Sequence, residues 1–262
     1  MKKAIILAAG IGKRLGNLTK DLPKCLLPID SDNVLIDFSL NALKETGTNK
    51  ITFVTGFLEH KLKEHISKQW SGKFDFKFIF NEKYKEYNNI YSAYLAKDIW
   101  DDETILLNSD IIFHPDILRN LHREADSRSV LQYASTSFLI IDDSKILTPE
   151  SMKTEIDKEG RIKKINKNLD LETSFGEYIG ITYLRGHDRV KFLESLKNNV
   201  VGAYGRKPLL DLYYEDALAH VLNEISVYPC STNGLPWTEV DTEEDYEHAK
   251  KIAKELNKIP IS

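Results

Sequence analysis

Residues 4–15 read Ala4-Ile5-Ile6-Leu7-Ala8-Ala9-Gly10-Ile11-Gly12-Lys13-Arg14-Leu15, an apolar run that gives way at once to small residues, two glycines and two cations. Such a run reads as a buried strand that ends in a tight turn. Glycines let backbone N–H groups approach phosphate oxygens without a Cβ in the way, and Lys13 and Arg14 supply charge that backbone dipoles alone lack. The loop is therefore a candidate triphosphate cradle, with Leu7, Ala8, Ala9, Gly10, Gly12, Lys13 and Arg14 as its residues. A turn without a ligand, a dinucleotide fingerprint and a kinase-type phosphate loop are the competing readings. Gly16 comes one residue late for G-x-G-x-x-G, and neither Gly-Lys-Ser nor Gly-Lys-Thr follows.

Working outward, apolar β-branched runs recur at residues 51–54, 76–80 and 104–107, with helical patterns at 35–46, 59–69, 90–100 and 115–125 between and after them. This alternation predicts an α/β fold with a mostly parallel central sheet and helices on both faces. The second half is less regular. Strands are expected at 130–134, 138–141, 161–165, 178–184 and 225–228, and helices at 188–197, 209–222 and 243–256. That pattern predicts a smaller antiparallel extension. One domain is expected, with a nucleotide-binding part over about 1–128, an acceptor-binding part over about 129–236 and a closing helix over about 242–256.

A chain of 262 residues that is 42% hydrophobic has apolar surface for a sizeable core. Its 36 Lys plus Arg nearly cancel 40 Asp plus Glu, so no long-range field favours DNA or RNA as a partner. Cys25 and Cys230 lack the paired spacing of a zinc site or a disulfide framework, which points to a reducing, cytoplasmic setting. The first residues resemble a short signal peptide, but their apolar run is of minimal length and leads straight into Gly12-Lys13-Arg14, so a first strand is the better reading. No later run approaches the ~20 apolar residues of a membrane-spanning helix. His60, His65, His114, His122, His187, His220 and His248 are scattered without ligand spacing, which gives no support to a metal hydrolase.

Beyond the loop comes Leu22-Pro23-Lys24-Cys25-Leu26-Leu27-Pro28, where two prolines stiffen an extended segment around Lys24. Taken together, Leu7-Ala8-Ala9-Gly10-x-Gly12-x-Arg14 and Pro23-Lys24-x-Leu26-x-Pro28 resemble the signature of the sugar-phosphate nucleotidyltransferase superfamily. The resemblance runs from Met1 to about Leu256 and is stronger in the first half. It implies a Rossmann-like fold, and phosphate contacts from Arg14 and Lys24 during transfer.

The apolar strand at 104–107 ends in Asn108-Ser109-Asp110, which puts Asp110 just outside the carboxyl edge, where open α/β sheets bind ligands. Asp110 is thus a candidate metal ligand and nucleotide contact. Asp241, in Trp237-Thr238-Glu239-Val240-Asp241-Thr242, precedes a helix, and on residue type alone it reads as an N-cap. The resemblance implies instead that Asp110 and Asp241 jointly hold Mg2+, with Asp110, Arg14 and Lys24 as the catalytic set. Asp116, Glu239 and Glu243 read as solvated or capping charges.

The amide- and tyrosine-rich stretch Asn81-Glu82-Lys83-Tyr84-Lys85-Glu86-Tyr87-Asn88-Asn89-Ile90-Tyr91-Ser92 resembles one in the phosphocholine cytidylyltransferase branch and its phosphonate-using relatives. That likeness implies that Asn88, Asn89 and Ser92 help to select cytosine. For an amine-bearing acceptor, carboxylates and aromatic faces are the expected partners, and Glu177, Tyr178, Tyr213, Tyr214, Glu215, Asp216 and Trp237 are candidates. The resemblance adds Lys164 against the acceptor phosphate, while Arg206 and Lys207 raise the possibility of an anionic acceptor. The expected reaction is Mg2+-dependent cytidylyl transfer from CTP to phosphocholine, phosphoethanolamine or an aminophosphonate. A sugar-1-phosphate nucleotidyltransferase using UTP or dTTP and a non-catalytic nucleotide sensor are the alternatives, and a homo-oligomer is compatible with either.

Overall fold

The structure is a computed structural model that describes residues 2–130, 136–202 and 211–258, with residues 128–130 as backbone only. Strand β1 (Lys3–Ala8) is buried from Ala4 onward and sits in the middle of the sheet. Around it run β2 (Lys50–Thr55), β3 (Asp75–Phe80) and β4 (Thr104–Asn108), all parallel, with Leu7 level with both Val54 and Asn108. Between them come α1 (Leu35–Glu45), α2 (Glu59–Gln69) and α3 (Asn89–Leu95). Strands β1, β2 and β4, buried on both faces, need crossover helices to cover them, which is why their sequences are nearly continuously apolar, whereas β3 at the sheet edge is only partly buried. Two apolar clusters result, one against each face of the sheet.

After β4 come β5 (Ile111–Phe113), α4 (Asp116–Val130) and β6 (Ser137–Asp142). The antiparallel part consists of β7 (Lys153–Ile156), β8 (Ile162–Asn166) and β9 (Gly176–Tyr183), and β9 is inserted between β4 and β6. The chain continues through α5 (Gly186–Gly202), α6 (Tyr214–Ala219), β10 (Val227–Ser231), β11 (Trp237–Glu239) and α7 (Glu243–Leu256). The main sheet runs in the order β10-β6-β9-β4-β1-β2-β3. The expected fold class is the one observed. Among the described residues no helix is long and apolar enough to cross a membrane.

Differences from expectation have local causes. The strand expected at 130–134 falls on the end of α4 and on residues outside the described set, as do Arg206 and Lys207 and the start of the helix expected at 209–222. Within the described part of that last region, α6 covers only Tyr214–Ala219. The helix expected at 90–100 is α3 followed by a 3-10 turn at Lys97–Ile99. Strands β5, β7 and β11 were not expected: at three or four residues they carry too short a pattern and exist through their pairing.

Four segments leave the sheet at its carboxyl edge: the glycine loop after β1, Gly56 after β2, Asn81 after β3 and Asn108 to Asp110 after β4. That edge is where ligands meet open α/β sheets.

Candidate active site

The glycine loop turns sharply at Gly12, whose φ of 70° is left-handed. A Cβ there would come within 3.2 Å of Thr19 Cγ2 and 3.3 Å of Lys24 Cβ, so Gly12 lets the loop pack against the Lys24 segment. The Thr19 hydroxyl donates to the Gly12 carbonyl at 2.8 Å and closes the same turn. Lys24 begins a 3-10 turn, Lys24–Leu26, set by Pro23 in front of it. On the other wall, a Cβ at Gly56 would fall 2.7 Å from Tyr84 Cβ and 2.8 Å from the Ala9 carbonyl. Only glycine lets the tyrosine-rich loop close that tightly over the strand ends.

These walls enclose a cavity of about 410 Å³, within the range of small-molecule sites. The predicted Leu7, Ala8, Ala9, Gly10, Gly12, Lys13, Arg14 and Lys24 line it, as do Asn88, Asn89, Ser92, Asp110, Tyr213 and Asp241. Asn81 and Glu239 line it too; the sequence reading had not singled out Asn81, and had read Glu239 as a solvated or capping charge. Asn81, 1% exposed, donates from Nδ2 to the Ser92 hydroxyl at 3.0 Å and accepts the Lys83 N–H at 2.9 Å. Its signal in the sequence was available: an amide directly after an apolar strand, at the edge where ligands bind. Asn88 is the N-cap of α3, and Asn89 accepts the Tyr214 N–H at 2.9 Å, so one amide orders the helix and the other ties it to α6.

Asp110 and Asp241 meet because β11 pairs antiparallel with β5, setting Glu239 opposite Ile111, while the Val240 N–H donates to the Asp110 carbonyl at 2.8 Å. Asp241 is not the cap of α7. Thr242 takes that role, accepting the Asp245 N–H, and so leaves the Asp241 carboxylate for the pocket. Asp110, Glu239 and Asp241 each present an oxygen within 4.8 Å of the others, an arrangement that could hold a metal ion. Hard oxygen donors of this kind suit a divalent cation. One buried oxygen, Asp110 Oδ1, makes no hydrogen bond among the described residues and so retains acceptor capacity.

Cations already balance part of this charge. Lys24 Nζ lies 2.7 Å from Asp110 Oδ2 and 2.6 Å from Asp241 Oδ1, and an Arg14 guanidinium nitrogen lies 2.6 Å from Asp241 Oδ2. Burial alone would lower the Lys24 pKa, but the carboxylates of Asp110 and Asp241 outweigh it and hold the ammonium above the ordinary lysine range. For Asp241, burial favours the neutral acid, and Lys24 with Arg14 more than reverses this, leaving its carboxyl below the usual range. Glu239 shifts upward, first through the protein packed around it and then through the neighbouring carboxylates of Asp110 and Asp241, with Lys24 and Lys167 opposing.

The candidate acceptor residues divide. Tyr213 lines the cavity, and Asp216 accepts its N–H at 2.8 Å as a capping group. Tyr178, Tyr214, Glu215, Glu177 and Trp237 are not in the lining. The Tyr178 hydroxyl is shared with Tyr214 at 2.7 Å and with Thr182 at 2.5 Å, a buried polar cluster that ties β9 to α6. Lys164 points to solvent and pairs with Glu155 at 3.0 Å, as Lys163 does at 3.6 Å. After Lys24, the lysine whose charge bears on Glu239 and Asp241 is Lys167, past the end of β8, with its ammonium 5.8 Å from the Tyr213 ring centre.

Glu215 is 5% exposed and its Oε2 makes no hydrogen bond, so burial pushes its carboxyl up to about 7. The folded protein thus binds a proton that the unfolded chain releases near pH 4.5, and stability falls as pH rises from there to about 7. Glu215→Gln is expected to raise the melting temperature at pH 8 by several degrees, on the order of 3 kcal/mol, and to have little effect at pH 4.5. Thermal unfolding of both proteins across that pH range checks this. Equal curves throughout would place Glu215 in contact with water.

A phosphate-sized loop, two cations and three carboxylates around one cavity are suited to a nucleoside triphosphate and a metal ion. The nucleotidyl transferase family matches this chain over residues 3–144. The chain is 29% identical over 257 residues to a choline-phosphate cytidylyltransferase from Streptococcus pneumoniae, covering 97% of this chain and all of that one. It is 27% identical over 256 residues to a CTP:phosphoglutamine cytidylyltransferase from Campylobacter jejuni, covering 93% and 97%. The solved structure of the CTP:phosphocholine cytidylyltransferase from Streptococcus pneumoniae superposes with a TM-score of 0.70 at 23% identity, over 97% of this chain and all of that one. With more than half of its length matched to the family, and with the fold and the glycine loop in agreement, the chain belongs to the nucleotidyl transferase family.

Proposed function

We propose that the protein transfers the cytidylyl group of CTP to a small phosphorylated amino alcohol or a phosphonate and releases pyrophosphate, with Mg2+ as its metal. The observation that carries this reading is the convergence of Asp110, Glu239 and Asp241 with Lys24 and Arg14 at the mouth of the glycine loop. The similarity to cytidylyltransferases over nearly the whole chain supports the choice of base and acceptor.

A phosphate or phosphonate oxygen of the acceptor attacks the α-phosphorus in line with the departing pyrophosphate. One P–O bond forms and the α–β bridge breaks, without a covalent enzyme intermediate. The attacking oxygen is already ionised near neutral pH, so the protein's task is positioning and charge neutralisation rather than base catalysis. The glycine loop receives the triphosphate through its backbone N–H groups. Arg14, with a side chain 59% exposed, has room to exchange Asp241 for a phosphate oxygen, and Lys24 supplies charge at the reacting centre. Asp110 and Asp241, with Glu239 beside them, would hold Mg2+, which when bound neutralises charge on the phosphate oxygens. Asn81, Asn88, Asn89 and Ser92 face the base, and Lys167 and Tyr213 the acceptor.

The test is pyrophosphate release with Mg2+ and each nucleoside triphosphate in turn, against phosphocholine, phosphoethanolamine, 2-aminoethylphosphonate and glucose 1-phosphate. Release is expected with CTP and an amino-alcohol phosphate or aminophosphonate, and is expected to stop on chelation. Preference for UTP or dTTP with the sugar phosphate would refute the assignment.

A further inference from the structure

Strand β11 carries two side chains on one face: Glu239 in the acidic cluster and Trp237, about 7 Å along the strand from it at the usual rise per residue. Strand β9 runs antiparallel to β4 with Leu107 opposite Ile181. Glu177, four residues before Ile181, therefore lies beyond the end of β4, at the carboxyl edge of the sheet. These two residues meet at a third. Lys145 Nζ lies 2.7 Å from Glu177 Oε2 and 4.7 Å from the centre of the Trp237 ring.

The parts of this site are fixed except for the lysine. The Trp237 indole donates to Asp142 Oδ2 at 2.6 Å and is 8% exposed. Glu177, opposite Asp142 in the β6–β9 ladder, has a side chain only 12% exposed, and its Oε2 makes no aligned hydrogen bond. Among the described residues its compensation is the Lys145 charge. The Lys145 backbone is held by Asp142 Oδ1, but its side chain is 42% exposed, and its long flexible stem has a way out into water.

A carboxylate beside an aromatic face is a recognition site for an ammonium ion. We propose that Glu177 and the Trp237 face bind a primary ammonium group of the acceptor, and that Lys145 is a tethered stand-in which fills the site in the free protein and is displaced by the acceptor. The inference rests on the cytidylyl-transfer reading and names its acceptor class. A contact as close as that between Lys145 and Glu177 needs an N–H on the cation, and a quaternary ammonium, sheathed in methyl groups, has none. Quaternary ions are bound by cages of several aromatic walls, and among the described residues the Lys145 ammonium has one, Trp237. The acceptor is thus an aminoalkyl phosphate or phosphonate with a free amine, in preference to a trimethylated one.

Two measurements test this. In the first, Lys145→Ala and the unaltered protein are titrated with methylammonium and with tetramethylammonium, and followed by intrinsic tryptophan fluorescence and thermal shift. The variant is expected to bind methylammonium about tenfold more tightly than the parent, since no tethered competitor remains, with a much smaller gain for tetramethylammonium. Adding Glu177→Gln is expected to abolish the gain. No gain, or an equal gain for both ions, overturns the site. The second is kinetic: Glu177→Gln is expected to raise KM for phosphoethanolamine about tenfold and to leave KM for CTP within twofold. An unmoved phosphoethanolamine KM would reduce the cluster to a structural ion pair. The titration needs no turnover, so a protein inactive with every acceptor would sink the cytidylyl-transfer reading separately from the ammonium site.

Discussion

Asp110→Asn is expected to lower the rate of pyrophosphate release by about 10³-fold or more while leaving the fold in place. The amide keeps the volume of the carboxylate, and the backbone carbonyl of residue 110 still receives the Val240 N–H that joins the two strands. What is lost is one of three converging carboxyl groups, with its charge and its unpartnered oxygen. Circular dichroism and a melting temperature within a few degrees of the parent would show that the fold survives. A variant that folds and retains more than a tenth of the activity would remove Asp110 from the reacting centre.

The second large effect is expected at Lys24, and it has two parts. Lys24→Ala leaves Asp110, Asp241 and Glu239 within 4.8 Å of one another without the ammonium that bridges the first two. Removing one partner of a buried ion pair typically costs about 3–5 kcal/mol, because the remaining charge is buried uncompensated. The metal-free variant is therefore expected to melt well below the parent, and Mg2+ is expected to recover much of the difference. Turnover with Mg2+ present is expected to fall about 10²–10³-fold, the scale of losing one charged donor at a developing anion. Calorimetry with and without Mg2+ separates the two parts. A melting temperature indifferent to both the substitution and the ion would contradict the electrostatic account of the cluster.

The sheet was legible because these strands are buried on both faces: residues 4–8, 51–54 and 104–107 carry no charged residue, and Thr52 and Thr104 are β-branched like their neighbours. The same clarity exposed Asp110, since a polar tripeptide that ends such a strand must lie at the edge. Other parts depend on contacts across the chain. That Asp110 and Asp241 converge rests on the pairing of β5 with β11, three residues each, too short to show a period. Asp241 looked like a cap until Thr242 proved to hold that position. Lys164 and Lys167 are chemically alike in sequence, and only the path of the chain after β8 brings Lys167 beside the Tyr213 ring and leaves Lys164 paired with Glu155 in solvent. For Tyr178 and Tyr214, a polar group in an apolar run reads equally well as a ligand contact or as a satisfied core hydroxyl, and their mutual hydrogen bond is of the second kind.

The central claim is cytidylyl transfer, and the most direct measurement is phosphorus NMR of a reaction containing the protein, CTP, Mg2+ and either phosphoethanolamine or 2-aminoethylphosphonate. The account predicts that the CTP resonances give way to pyrophosphate and, in equal amount, to a product whose two coupled phosphorus atoms share one bridging oxygen. Pyrophosphate accompanied by free CMP, or CTP left intact with both acceptors while another nucleoside triphosphate is consumed, would contradict it.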